Sequence, residues 1–178
     1  MKAPVMLGLL AAALAGCGNI AAVKSFNTPY GSPIGGDTAR LRVIADGMVR
    51  AVPEKDCVDW YSPGAGVIAV PTKGFADRNG ETLGMPASVS AQAGDAVSEV
   101  LVPAGKPFTL HFLDGGRSAG YDTVQNCLGM FSFVPQKGAD YELVVHGYSA
   151  CGGTLKRLDK AEDVARRKAD YCSAMANF

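Results

Sequence analysis

Apolar and polar residues alternate with a period of two along most of the chain after residue 38. This alternation is typical of strands that bury one face of a sheet. Strands are predicted at 39–46, 48–52, 97–102, 108–113, 128–134, 140–149 and 154–158, separated by glycine- and proline-rich turns, and a short apolar run predicts another at 66–70. Eight short strands at fairly regular spacing predict a mainly β protein, an antiparallel β-sandwich, with a small β-barrel as the alternative.

The entry to the longest strand carries a further signal. The run Gly138-Ala139-Asp140-Tyr141 resembles the tyrosine corner of immunoglobulin-like sandwiches, in which the tyrosine hydroxyl bonds back to nearby backbone. Leu143 stands where a true immunoglobulin domain has a cysteine. The resemblance therefore implies an Ig-like architecture and not membership of that family.

The last twenty residues follow a different pattern. Asp159 is suited to cap a helix, and Glu162 follows it at the spacing of a capping box. Apolar and large residues then recur at helical spacing, at Val164, Lys168, Tyr171, Cys172 and Met175. The pattern predicts one C-terminal helix over 160–175.

The N-terminus has the pattern of a targeting segment. Lys2 precedes an uncharged apolar run that ends near residue 16 and is too short to span a bilayer, so 1–16 is predicted to be a signal peptide. Residues 17–38 are rich in glycine and proline and predict a flexible tether. Residues 39–178 are then expected to form a single domain.

The signal segment ends in Leu14-Ala15-Gly16-Cys17, which resembles the lipobox of bacterial lipoprotein precursors. The resemblance implies that Cys17 receives diacylglycerol, that the signal is cut before it, and that the new amine takes an acyl chain such as palmitate. Gly18 stands where an aspartate would favour the inner membrane. The resemblance thus implies anchoring at the outer membrane, on its periplasmic or surface face.

Charge and cysteine content fit export. Without the signal segment the chain has 16 Lys and Arg against 17 Asp and Glu, because Lys2 is the only charged residue removed. This balance implies no polyanionic partner, and no nucleic-acid binding is expected. Four cysteines remain after Cys17, which predicts disulfide bonds in an oxidising compartment. We expect the pairs Cys57–Cys127 and Cys151–Cys172.

No motif for catalysis, a cofactor or a metal stands out. The two histidines, His111 and His146, lack metal-site spacing and are expected to be solvated. Serine nucleophile and nucleotide-binding motifs are absent from the sequence. The candidate binding surface is Trp60 with Tyr61, supplemented by Arg117 in the glycine-rich segment 114–120. Trp60 as a core residue is the competing interpretation.

These features predict a membrane-anchored envelope lipoprotein whose domain is a non-catalytic binding or structural module for an envelope protein or peptidoglycan. Two alternatives stay open. One is a periplasmic inhibitor or immunity-type protein, which shares the compartment and the use of disulfides. The other is a hydrolase of envelope polymers, which would need a pocket with a perturbed acid–base pair.

Overall fold

The fold is mainly β and is built on two sheets of five strands each. The structure, a computed structural model, describes residues 21–118, 124–147 and 152–177. Within these ranges no helix has the length and apolar character needed to cross a bilayer.

The first sheet has the strand order β11-β10-β9-β1-β4. Its members are β1 (Thr38–Ala45), β4 (Ala96–Pro103), β9 (Asp140–His146), β10 (Gly152–Arg157) and β11 (Glu162–Asp163). Strand β1 lies between the edge strand β4, to which it is antiparallel, and β9, to which it is parallel. The polar position Arg42 of β1 therefore lies directly opposite Glu99 on one side and Glu142 on the other.

The second sheet has the order β12-β8-β5-β2-β3, and all of its pairs are antiparallel. Its members are β2 (Met48–Pro53), β3 (Gly66–Ala69), β5 (Phe108–Leu113), β8 (Leu128–Phe133) and β12 (Arg167–Lys168). A separate small hairpin pairs β6 (Arg117–Ser118) with β7 (Val124–Gln125).

The mainly β class is confirmed, and each of the eight predicted segments overlaps one of β1 to β5 or β8 to β10. The predicted antiparallel arrangement is wrong for β1 and β9, which pair in parallel. The barrel alternative is wrong, since the described strands form two separate sheets and no closed barrel. The strands could be predicted from the alternation because successive side chains in a strand point to opposite faces of the sheet.

One hydrophobic core lies between the sheets. The first sheet contributes Leu41, Val43, Val100, Tyr141 and Leu143, and the second contributes Val49, Ile68, Phe108, Leu110 and Phe133. The Phe133 and Tyr141 rings meet edge to face at 5.3 Å between centroids. The Tyr141 hydroxyl accepts a hydrogen bond from the Gln136 amide at 2.9 Å, so the predicted bond from this tyrosine to nearby backbone is present.

Both outer faces are also covered, which the alternation did not predict. The first sheet carries the segment 79–92, which has no regular strand. The second sheet is covered by helix α1 (Ala21–Ser25), by a loop containing Val58 and Trp60, and by the C-terminal segment around Tyr171. Polar positions of the central strands are therefore buried, including Arg42, Arg50, Glu99 and His111.

The prediction of a flexible tether over 17–38 is wrong for the described residues from Ala21 to Gly31. Tyr30 is fully buried, its ring packs against Phe108, and its hydroxyl donates to the Leu101 carbonyl at 3.0 Å. Glycine serves close packing in this region and not mobility, because a Cβ on Gly66 would lie 2.4 Å from the carbonyl oxygen of Thr28. The part of 17–38 before Ala21 lies outside the described residues.

The predicted helix over 160–175 is also wrong. Ala161 has a positive φ of 52°, which ends any right-handed helix there. The strands β11 and β12 follow, and the Ala169 amide donates to the Met130 carbonyl. Asp159 binds Arg157 instead of capping a helix. Only a short 3-10 helix, Ala174–Asn177, ends the described chain.

The predicted cysteine pairing is wrong as well. The structure joins Cys57 to Cys172, with 5.0 Å between their Cα atoms. The cause is a parallel bridge between Val58 and Tyr171, where the Val58 amide donates to Asp170 and the Cys172 amide donates to Val58. Cys127 is disulfide-bonded too, and its partner lies outside the described residues, as does Cys151.

Candidate binding surfaces

One cleft among the described residues is an open groove that has three prolines in its lining. It measures about 620 Å³ and is formed by three short segments, 31–34, 53–55 and 62–64. We call it the proline groove. Its apolar walls are Pro33, Ile34, Pro53 and Pro63, and Ile34 is fully exposed to solvent. Exposed aliphatic surface next to rigid prolines is suited to an apolar side chain of a partner.

Backbone geometry holds the groove open. The Gly31 amide donates to the Gly64 carbonyl at 3.1 Å, which fixes two of the three segments against each other. Gly64 has a φ of +80°, and a Cβ placed there would also lie 3.0 Å from the Gly31 carbonyl oxygen. At the rim, Glu54 is ion-paired with Lys106 at 2.7 Å. The groove is therefore preformed, which lowers the entropic cost of binding.

A smaller cleft of about 270 Å³ adjoins the proline groove through shared residues at Ser62 and Gly64. It lies between helix α1 and the loop after β2, and we call it the α1 cleft. Its lining includes Ala21, Lys24, Ser25, Thr28, Trp60 and Tyr61. The two predicted aromatic residues therefore separate: Tyr61 is 62% exposed, whereas Trp60 is only 6% exposed. The prediction of Trp60 as a surface residue is wrong.

Trp60 is buried because it covers a cation. The Arg50 guanidinium lies 4.0 Å from the centroid of the Trp60 ring and 4.0 Å from that of Phe26, so it is held between two aromatic faces. Arg50 also donates to the Ser25 hydroxyl of helix α1. Its Nε atom is buried without a hydrogen-bond partner among the described residues. Arg50 thus fixes α1 and the Trp60 loop on the outer face of the second sheet.

His111 lies directly opposite Arg50 in the β2–β5 pair, 3.5 Å from one guanidinium nitrogen. Burial, and then the positive charge of Arg50, lowers the pKa of His111 to about 3, so the imidazole is neutral at physiological pH. Burial likewise lowers the pKa of Arg50 to about 10, an effect that Tyr171 only partly offsets, and the guanidinium stays charged. The prediction of a solvated His111 is wrong.

The two histidines do not form a joint site, because His111 belongs to the second sheet and His146 to the first. The Nε2 atom of His146 instead lies 3.2 Å from a carboxylate oxygen of Asp95. Over the described ranges, no three His, Cys, Asp or Glu side chains are grouped so that they could hold a metal ion. Arg117 is the third predicted surface residue, and its side chain lies outside the part of the chain that the structure describes.

A third cleft, of about 490 Å³, has a lining that is about half polar and carries charges of both signs. It lies between β8, β9 and the C-terminal segment and includes Gln136, Tyr141, Arg157, Glu162 and Arg166. Arg157 is already engaged, because it forms a bidentate pair with Asp159 and also bonds to Gln136. The cleft offers donors and acceptors of the kind that bind hydroxyl groups of sugars.

Neither a protein-family model nor a curated protein matches this chain. Its function is therefore inferred from the N-terminal motif and from the surfaces described above.

Proposed function

We propose that this protein is a lipid-anchored lipoprotein of the bacterial cell envelope whose domain is a non-catalytic binding module for another envelope protein. The single observation that carries the anchoring is the lipobox Leu14-Ala15-Gly16-Cys17 at the end of an uncharged apolar run. Acylation at Cys17 with two or more chains would hold the chain at the membrane essentially permanently, because each buried methylene contributes about 0.8 kcal/mol. The expected location is the outer membrane, facing the periplasm or the cell surface.

Disulfide bonding supports an oxidising compartment. The bridge Cys57–Cys172 ties the loop after β2 to the C-terminal segment, and bridges of this structural kind persist outside the cytoplasm. The bond from Gln136 to the Tyr141 hydroxyl supports a sandwich of immunoglobulin-like architecture, a scaffold that serves many binding functions.

The proline groove supports a protein partner in preference to a glycan. Its walls are aliphatic, whereas sugars need hydrogen-bonding groups beside an aromatic platform. We propose that an apolar side chain of the partner enters between Pro33, Pro53 and Pro63 and contacts Ile34. The polar cleft at Arg157 is the surface that would serve peptidoglycan instead.

Acylation is tested by growing cells with an alkyne-tagged fatty acid and separating membranes by flotation. We expect the wild-type chain to carry the label and to float, and the Cys17→Ser variant to do neither. A mature chain that begins at Met1, or a variant that still floats, would refute the anchor.

The partner is tested by capture from envelope extract with the lipidated protein as bait. Ile34→Asp should abolish capture of a stoichiometric envelope protein, because it places a charge on an apolar wall. Val89→Asp is the matched control, since Val89 is equally exposed and lies away from the groove. Equal capture by both variants would refute the groove, and retention on peptidoglycan alone would favour the glycan. An enzyme partner that loses activity when captured would make the protein an inhibitor.

A further inference from the structure

The folded domain begins very close to the proposed lipid. Helix α1 starts at Ala21, four residues after Cys17. Even a fully extended chain spans at most about 3.6 Å per residue, so Ala21 lies within about 14 Å of the acylated residue. The headgroup layer of one leaflet is itself roughly 5–7 Å deep. Residues 18–21 can therefore hold the start of α1 at most about 9 Å above the headgroup layer, so the side of the domain that carries α1 stays beside the membrane.

Helix α1 cannot move away from the domain by itself. Ala21 and Ser25 are buried on the second sheet, and Ser25 and Phe26 hold the Arg50 guanidinium. The chain after the helix is pinned as well, because Tyr30 is fully buried between the sheets. The position of the lipid therefore determines which side of the domain faces the membrane.

The surface around α1 exposes apolar side chains in the right place. Val23 is 53% exposed on the outer side of the helix, and Tyr61 is exposed across the α1 cleft. Phe75 is also partly exposed and packs against Phe26, with ring centroids 6.4 Å apart. Tyrosine is favoured at the membrane–water interface, and apolar side chains such as phenylalanine and leucine are buried at the boundary of headgroups and acyl chains.

From this placement we propose that the surface of Val23, Tyr61 and Phe75 around α1 is a membrane-docking face that rests in the lipid headgroup layer. The inference depends on the proposed acylation of Cys17. Because the anchor holds the domain at the surface, docking is an intramolecular event with a high effective concentration, and a few apolar contacts are enough. The proline groove, which shares Ser62 and Gly64 with the α1 cleft, then opens close to the membrane.

Charge contributes little to this docking. Lys24 lines the α1 cleft, Lys55 is paired with Asp59 at 2.9 Å, and Phe75 has Lys73 and Asp77 on either side of it in the sequence. Contact with an anionic surface would need an excess of Lys and Arg. The docking is therefore expected to be the same on zwitterionic vesicles and on vesicles that contain anionic phospholipid.

The test uses the full lipidated chain in vesicles of phosphatidylcholine brominated near the top of the acyl chains. Tyr61→Trp places a fluorophore on the docking face, and Val89→Trp places one in the segment over the other sheet. The wild type, with Trp60 alone, supplies the baseline for both variants. Bromine quenches tryptophan only on contact, so the position of each fluorophore relative to the acyl chains is read directly.

We expect additional quenching and a blue-shifted emission for Tyr61→Trp and neither for Val89→Trp. Equal quenching of the two variants in protein that floats with the vesicles would overturn the docking face while leaving the anchor intact. Protein that does not float would overturn the anchor, and the docking inference with it. Quenching of Tyr61→Trp that appears only when anionic lipid is added would contradict the apolar contact proposed here.

Discussion

Arg42 is the centre of a buried charge network, and its removal should have a distinctive dependence on pH. Its guanidinium contacts Glu99 at 2.6 Å and Glu142 at 3.1 Å, and only 6% of the Arg42 side chain is exposed. It also donates to the Pro86 carbonyl. Replacement by methionine keeps the volume of the aliphatic stem but leaves two carboxylates buried on the first sheet without a cation.

The cost follows from that loss. Breaking a buried pair by removing one partner destabilises a protein by about 3–5 kcal/mol, because the remaining charge is uncompensated. Here two carboxylates remain. Glu99 keeps hydrogen bonds from the Leu83 and Met85 amides, and Glu142 keeps those from the Ser88 and Ser90 side chains. We therefore expect a loss of about 4 kcal/mol at neutral pH.

The sign of the pH dependence should reverse. In the wild type, burial alone would raise the pKa of Glu99, but hydrogen bonds from Leu83 and Arg42 outweigh it and lower the pKa below its usual range. The same balance, with bonds from Ser88 and Arg42, lowers the pKa of Glu142. The Glu99 and Glu142 carboxylates therefore stabilise the wild type above the pKa of about 4.3 that they have in the unfolded chain. This stabilisation is lost as the pH falls through their lower pKa values in the folded protein.

Without Arg42, burial dominates and the folded pKa of at least one carboxyl rises above the unfolded value. The folded variant then takes up a proton that the unfolded chain does not, and its stability increases as pH falls below neutrality. The slope is up to about 1.4 kcal/mol per pH unit for each such group. The destabilisation by Arg42→Met should therefore shrink between neutral pH and about pH 5.

The assay is urea unfolding with intact disulfides, followed by the fluorescence of Trp60, the only tryptophan. Arg40→Met is the control, because Arg40 belongs to the same strand and pairs with Asp140 in the same register, yet 36% of its side chain is exposed. It should cost about 1 kcal/mol or less, with little change with pH. The reasoning would be refuted if Arg42→Met lowered the free energy of unfolding by less than about 1 kcal/mol. It would also be refuted if the loss were the same at neutral pH and at about pH 5.

Three further outcomes are expected. The bridge Cys57–Cys172 spans 115 residues, so replacing both cysteines by serine should lower the free energy of unfolding by about 2–5 kcal/mol in urea titrations; an unchanged midpoint would contradict this. Tyr30→Ala should cost about 3–5 kcal/mol, whereas a residue in a mobile tether would cost nothing. Because the pKa of His111 is lowered to about 3, wild-type stability should fall by about 1 kcal/mol per pH unit below pH 6.5 down to that value. His111→Gln should remove that slope, and a persistent slope would assign it to other groups.

Local alternation was sufficient to place the strands. Leu41, Val43 and Tyr141 face the core because a strand has a side-chain period of two and one side of each sheet has to leave water. The bond to the Tyr141 hydroxyl was predictable for a similar reason, since donor and acceptor are only five residues apart. The lipobox is equally local, and acylation of Cys17 was inferred without any fold.

The outer faces were not predictable in this way. Arg42, Arg50 and His111 occupy positions that alternation assigns to solvent, and each is buried by a segment remote in sequence. Nothing near Arg50 in the sequence indicates that Phe26 and Trp60 enclose it. Whether a polar position meets water or a covering loop depends on long-range packing, which a periodic pattern does not encode.

The two ends of the chain show the same limit most clearly. Helical spacing from Asp159 to Met175 was outweighed by sheet-edge hydrogen bonds and by the bridge that holds Cys172 at Cys57. The glycines and prolines before residue 38 indicated mobility, yet they allow the chain to pass closely over Gly64 and Gly66 while Tyr30 is buried. Composition and spacing describe what a segment can do alone, whereas contacts between distant segments decide which of those conformations has the lowest free energy.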